Sequence, residues 1–280
     1  MCIRRITVIA ATLTFARAAN AQSVGKMLEE DFRNSAKDIG AVWSSPFDAS
    51  SRDWMLTAAA FGAFGLSMLA DQSVSDWAIR NDSSAFFRAL SPVRRGGKLF
   101  AGKYVVPPVA AVYVLGVALK NQDMRDFVTG CMVSWGAQSA VRKTLYILVG
   151  RARPDTLAND PQDWKVPSGG SWMMHSFPAG HFANALACAT YWNKRFRLGA
   201  AGPLVYAFAG AVGIGRLADK AHWTSDTVIG GILGYAVGSE VGRRSLERQK
   251  QRVGGASGAG AALKLSPTLD GVLVSLSWTF

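Results

Sequence analysis

Six apolar runs of helical length, most of them ending near basic residues, restrict this chain more than any other feature. They cover 54–70, 104–119, 127–150, 181–192, 198–215 and 227–241, and Ala, Leu, Val and Gly dominate them. Runs this long exceed ordinary strands and read as helices. Helices that are apolar over most of their surface must pack on one another, and the small residues let neighbours come close. The expectation is an all-α protein with a six-helix core. A chain of 280 residues that is 49% hydrophobic and 18% charged can fill such a core, which excludes a disordered protein. Three cysteines in this length exclude a disulfide-stapled miniprotein.

The segments around the core differ in kind. Met1-Cys2-Ile3-Arg4-Arg5, a short apolar stretch and Ala19-Asn20-Ala21 have the form of an export signal over 1–21, with Gln22 as the first mature residue. Residues 22–53 form an N-terminal segment that is amphipathic around 27–39. The helical domain is expected over 54–242. Residues 243–280 start as a basic, Gly/Ala-rich linker. They end in an alternating stretch, 271–280, expected to pair with 263–265 as a small C-terminal β-hairpin. Two long connections join the runs, 71–103 and 151–178, and the second, broken by Pro154, Pro161, Pro167, Gly169, Gly170 and Pro178, reads as a loop. Cys131 and Cys188 lie inside apolar runs. Buried free thiols are the ordinary state for such residues, and a bridge in an oxidising compartment is the alternative.

The formal net charge is +12, which favours anionic partners. The excess clusters at Arg142, Lys143, Arg151 and Arg153, at Lys194, Arg195 and Arg197, and from Arg243 to Arg252. No aromatic residues interleave with a basic stripe, so nucleic acid is not an expected partner. No His pair four apart with a Glu suggests a metal site, and no metal or cofactor is expected. Gly213-Ile214-Gly215-Arg216-Leu217-Ala218 fits a dinucleotide glycine pattern loosely, but it ends a helical run instead of following a strand.

Three segments carry chemistry that suits a phosphate. In the first, 215–226, Arg216 closes one apolar run, and His222 and Asp226 open the next. Residues four apart share a helix face, so Asp226 is expected to hold His222 in one tautomer and leave its other nitrogen free to attack. In the second, Ser176-Phe177-Pro178-Ala179-Gly180-His181 marks a helix N-terminus, where free N–H groups and the helix dipole favour an anion. His181 would donate a proton to a leaving oxygen there. In the third, Gly150-Arg151-Ala152-Arg153-Pro154 supplies guanidinium groups suited to phosphate. His175 reads as a surface histidine, with a place at the entrance of this site as the alternative, and Trp172, Met173 and Met174 as residues that pack the loop down, with an apolar lip at the site as the alternative.

Together these segments resemble the type 2 phosphatidic acid phosphatase / vanadium-dependent haloperoxidase superfamily. Its motifs are Lys, six residues, Arg-Pro; Pro-Ser-Gly-His; and Ser-Arg, five residues, His, three residues, Asp. Here Arg153-Pro154, Pro178, Gly180-His181, Arg216, His222 and Asp226 match in order. Tyr146 stands at the lysine position, Ala179 at the serine of the second motif and Gly215 at the serine of the third.

The resemblance implies a six-helix phosphatase acting on phosphate monoesters or lipid (pyro)phosphates. His222 would form a phosphohistidine, Asp226 would orient it, and His181 would serve as acid and then base. Arg153, Arg216 and Gly180 would bind phosphate, with Lys143 or Arg151 compensating for Tyr146. No cofactor is implied. A vanadate-dependent haloperoxidase and a non-catalytic phosphate-binding protein are the alternatives. The resemblance and the leader together imply an exported, periplasmic protein at a membrane surface. An integral inner-membrane protein with a periplasmic site is the alternative.

Overall fold

The computed structural model describes residues 23–92, 102–156, 159–167, 170–256, 260–268 and 271–279. The expected leader lies outside the described residues. The body of the chain is helical: α1 (Val24–Ser44), α2 (Ser51–Met68), α3 (Asp71–Arg80), α4 (Ala85–Ala89), α5 (Gly102–Ala118), α6 (Gln122–Leu148), α7 (Gly180–Phe196), α8 (Gly202–Ala218) and α9 (Thr224–Ala256). The six apolar runs are α2 and α5 to α9, so the expected all-α architecture is observed. Local chemistry sets several starts. Ser50 and Asp53 form a reciprocal capping box at α2, and the Asn121 side chain accepts from the Met124 N–H at α6.

The structure departs from the sequence reading in three places. The connection 71–103 holds α3 and α4, because Ala78 and Phe87 bury against Ala218 of α8 in a small core of their own. The basic stretch after 242 remains helical to Ala256. There Arg243 pairs with Glu240 and Glu247 on its own helix, while Arg244 and Arg248 reach Asp38 of α1 at 2.9 and 2.7 Å. The two cysteines are bridged, which joins α6 to α7. Both lie in one core cluster with Val133, Ala137, Tyr191, Val237 and Val241, with their Cα atoms 4.6 Å apart.

Backbone meets backbone along the seam between α7 and α9. Gly230, Gly234 and Gly238 recur every four residues on α9. A Cβ on each would lie 2.6, 2.4 and 2.3 Å from the carbonyl oxygens of Ala179, Ala183 and Ala187 of α7. Main chain therefore packs on main chain, and only glycine admits that approach. The seam brings the N-terminus of α7 against that of α9, where the Ala179 N–H donates to the Asp226 backbone carbonyl at 3.0 Å.

Two short strands, β1 (Gly150–Arg151) and β2 (Trp164–Lys165), pair antiparallel and anchor the loop between α6 and α7. At the C-terminus β3 (Gly260–Thr268) and β4 (Gly271–Thr279) form the expected hairpin, with Leu263 opposite Leu276 and Leu265 opposite Val274.

Gly238→Val is expected to lower stability by about 1–3 kcal/mol or more, because the added side chain meets backbone that cannot move aside. Gly210→Ala, at a position where a Cβ meets nothing, is expected to leave stability unchanged or raise it slightly. Thermal denaturation of the two variants checks the seam.

Candidate active site

Four segments build the site: the end of α6 with β1, the loop running into α7, the end of α8, and the turn before α9. His222 lies in that last turn and is buried. Its Nδ1 is 2.7 Å from the Ser176 carbonyl oxygen. A carbonyl oxygen only accepts, so Nδ1 carries the proton and Nε2 keeps its lone pair. Burial, reinforced by the Arg216 and Arg153 guanidinium groups, holds this imidazole well below its ordinary pKa. The ring is neutral at physiological pH, which is the state a nucleophile needs.

Asp226 does not hold His222 directly. Its Oδ1 accepts from Arg151 Nη1 at 2.7 Å. Its Oδ2 accepts from the Ser176 hydroxyl and from the Trp223 N–H at 3.0 Å. The carboxylate thus fixes Ser176, and the Ser176 carbonyl fixes the imidazole. The spacing of four misled because α9 begins at Thr224. His222 precedes the helix, and the face rule does not reach it. Burial pushes the Asp226 carboxyl above its usual range, opposed by Arg151 and the Ser176 hydroxyl.

Arg151 is not a phosphate ligand in this arrangement. It is fully buried, and each of its five N–H groups has an acceptor. Nε and Nη2 donate to the Pro161 carbonyl at 3.0 and 2.7 Å, and Nη2 also donates to Asp71 at 2.7 Å. Nη1 donates to Ser225 Oγ and to Asp226, both at 2.7 Å. Asp71 also accepts from the Ser225 N–H at 2.8 Å and from the Ser225 hydroxyl at 2.7 Å. Asp71, far away in sequence at the start of α3, gave no signal of this role.

His181 is the second residue of α7. Burial and the nearby Arg216, Arg142 and Arg153 push its pKa down to about 4. No side chain caps this helix, because its N-cap is Ala179. The first-turn N–H groups and the dipole therefore add to the positive potential. A bound dianion would oppose that potential and restore the imidazolium, the form that can donate a proton.

Arg142 is the site residue that sequence reasoning missed. A Cβ on Gly180 would lie within 2.4 Å of Arg142 Nη1, so the glycine lets the guanidinium rest on the helix start. Nη1 also donates to Tyr146 Oη at 3.3 Å, one turn along α6. The Arg142 Nε is buried and has no hydrogen-bond partner. Arg142, Lys143, Gly180 and His181 line one cavity of about 380 Å³, with Lys143 at its exposed rim. The signal available in the sequence was the four-residue spacing from Arg142 to Tyr146.

Arg153 and Arg216 line a second cavity of about 350 Å³ with Asp82, Asp155 and Asp219. The Arg153 guanidinium lies 3.8 Å over the Trp172 ring, and Arg216 Nη1 donates to Asp219 at 2.7 Å. Trp172 thus covers the Arg153 guanidinium, although 64% of its surface stays exposed, so it does not simply pack the loop down. Tyr146 is buried and donates to the Pro178 carbonyl at 3.2 Å. His175 is not a bare surface residue, because its ring stacks on Tyr146 at 4.5 Å. The structure therefore brings His222, His181, Arg153, Arg216, Gly180, Tyr146 and Ala179 together. It moves Asp226 one residue back from the imidazole and takes Arg151 out of the pocket.

Residues 127–248 match the model of the PAP2 superfamily. The lipid A 1-phosphatase of Porphyromonas gingivalis is 35% identical over 94 residues, which cover 32% of this chain. The chain spans only 17% of that relative's length. The crystal structure of a transmembrane PAP2-type phosphatidylglycerolphosphate phosphatase from Bacillus subtilis aligns with a TM-score of 0.44 at 18% identity, over 70% of this chain and 96% of that one.

Two outcomes follow from the geometry. Arg151→Ala is expected to cost about 3–5 kcal/mol, because it strands two buried carboxylates. Arg153→Ala is expected to spare the fold and weaken inorganic phosphate binding, so calorimetric unfolding and a phosphate titration separate the two roles. The second outcome concerns pH. An unfolded histidine titrates near 6.5, and His181 does so near 4. The unfolded chain therefore binds more protons between those values, and stability falls as pH drops through that window. Denaturation at several pH values should show a shallower fall for His181→Gln, and saturating phosphate should flatten the fall in the parent.

Proposed function

We propose, from the match of residues 127–248 to the model of the PAP2 superfamily, that this chain is a phosphatase of phosphate monoesters or lipid (pyro)phosphates. The observation that carries this reading is His222, neutral, with Nδ1 locked on the Ser176 carbonyl, beside guanidinium groups from α8 and the loop after β1. Nε2 attacks phosphorus, and the bond from phosphorus to the ester oxygen breaks as His181 protonates that oxygen. His181 then takes a proton from water, whose oxygen attacks phosphorus. The P–N bond breaks and free phosphate leaves. Arg153, Arg216 and Arg142 hold the equatorial oxygens and stabilise the charge of the transition state. The Asp226–Ser176 pair keeps the nucleophile in its tautomer. Lys143 at the rim adds charge for the approach of the anion.

The comparisons support this reading at the level of lipid phosphate chemistry, since the curated relative is named a lipid A 1-phosphatase. The outer surface agrees with a membrane location. Trp54, Met55, Leu56, Phe61, Leu66 and Leu69 in and just after α2, with Leu204, Phe208 and Ile214 of α8, are large, apolar and exposed. Among the described residues one helix, Gly199–Ala218, is long and apolar enough to cross a membrane, or two if the bent pair α2–α3 is one span. The disulfide favours an oxidising compartment, in keeping with an exported, periplasmic, membrane-associated protein.

One further observation favours a non-catalytic phosphate binder as the second reading. Ala179 offers no hydroxyl, and Tyr146 replaces a charged group. Each such donor in a charged site is worth roughly 1.5–3 kcal/mol.

Aryl phosphate hydrolysis decides between the readings. Turnover that falls at least about 10³-fold in His222→Ala supports the phosphatase. Phosphate binding with no turnover in the parent supports the second reading. The double variant Ala179→Ser, Tyr146→Lys is expected to raise hydrolysis. No gain would count against the roles given to those positions.

A further inference from the structure

We propose that His175 is a further ligand of the phosphate: as the anion enters, its imidazole takes up a proton from solvent and donates a hydrogen bond to a phosphate oxygen through Nε2. The inference rests on the reading of this site as a phosphate pocket and adds a residue to it. Three observations carry it.

First, the main chain fixes where this imidazole stands. Arg151 and His175 pair as a parallel bridge. The Ser176 N–H donates to the Arg151 carbonyl at 3.1 Å, and the Arg153 N–H donates to the Met173 carbonyl at 3.2 Å. His175 therefore runs beside the segment that carries Arg153, and it immediately precedes the carbonyl that locks His222. Second, the ring is held at its face, its edge and one nitrogen, and the other nitrogen is left over. The ring stacks on Tyr146 with the planes 7° apart, and Trp172, which lies over Arg153, meets it at an angle of 71°. A hydrogen bond to the Gly170 backbone favours the charged ring, so it runs from a ring N–H to that carbonyl. Nε2 is buried and has no partner, and the donor to Gly170 is thus Nδ1. Third, two neighbours show the same shortage. Arg153 and Arg142 both act on the His175 ring, and each keeps a buried Nε without a partner. A buried polar atom left unpaired is costly, and the oxygens of one tetrahedral anion can serve donors from all three segments. Charge sets the state of the ring. Burial, with the Arg153 and Arg142 guanidinium groups, holds the His175 pKa below its ordinary value. A dianion reverses that field, and the face of Tyr146 beneath the ring favours the cation.

The chain has three histidines, His175, His181 and His222, so isotope labelling of histidine in the full chain gives three imidazole signals by NMR, assigned by single substitutions. Sulfate is the probe, because it stays a dianion over the whole titration and adds no proton of its own. At saturating sulfate the His175 midpoint is expected to rise by about one pH unit or more. Sulfate affinity, measured by calorimetry, should strengthen by about tenfold between pH 8 and pH 5 in the parent. His175→Phe keeps a ring on Tyr146 and removes the nitrogens. In that variant the strengthening should shrink by about threefold or more, whereas a purely structural role of His175 leaves the pH dependence as it is in the parent. If His175→Phe does not fold, the NMR titration of the parent decides alone. A His175 signal that sulfate leaves in place overturns the inference, and aryl phosphate turnover beside it leaves the phosphatase reading standing. A sulfate-linked rise without turnover supports His175 as a ligand and removes the phosphatase reading alone. A parent that binds neither sulfate nor inorganic phosphate overturns the inference as well.

Discussion

Backbone packed on backbone along the α7–α9 seam is the contact from which the rest of the site follows. Gly230, Gly234 and Gly238 let α9 approach until its Cα hydrogens face the carbonyls of Ala179, Ala183 and Ala187. Two helix N-termini then meet at one end of the bundle. His181 rides on the first, His222 on the approach to the second and Asp226 in its first turn. Shape complementarity at this density tolerates no added methyl group, so the separation of the two imidazoles is set by glycine and alanine, residues with no chemistry of their own. The disulfide between Cys131 and Cys188 ties α6 to the same unit and carries Arg142 and Tyr146 with it.

A buried charge network completes the framework. Arg151 joins Asp71 of α3, Asp226 and Ser225 of α9, and Pro161 of the long loop. One guanidinium thereby sets the position of three elements, and no donor is left over for a substrate. The arrangement separates two jobs that share a residue type. The arginine with every hydrogen bond satisfied supports the structure, whereas Arg142 and Arg153 each keep a buried Nε without a partner beside the histidines. That distinction depends on counting donors and acceptors, because charge clusters in a sequence look the same in both cases.

The helices, the hairpin and most of the side chains that gather in the candidate site were legible in the sequence, for identifiable reasons. Apolar runs of the 54–70 and 127–150 kind are too long for strands and read as helices, and alternation over 271–280 fits only a strand. Errors arose where tertiary contacts decided. Ala78 and Phe87 place α3 and α4 in a connection to which the sequence assigned no helix, by burying against Ala218. Arg244 and Arg248 extended α9 by reaching a carboxylate on α1. His175 was drawn from the surface onto Tyr146, and the spacing between His222 and Asp226 was read as helical although the helix starts between them.

The order and spacing of Arg153, His181, Arg216 and His222 were thus written in the chain itself, because those side-chain types stand at the ends of its apolar runs. Which nitrogen of His222 is free, which arginine is committed to the framework, and that Arg142 enters the pocket were decided only by the folded arrangement. Each of those facts is a matter of which acceptor or which glycine lies opposite a given side chain, and partners such as Asp71 and Gly180 are brought into place only when distant helices close on one another.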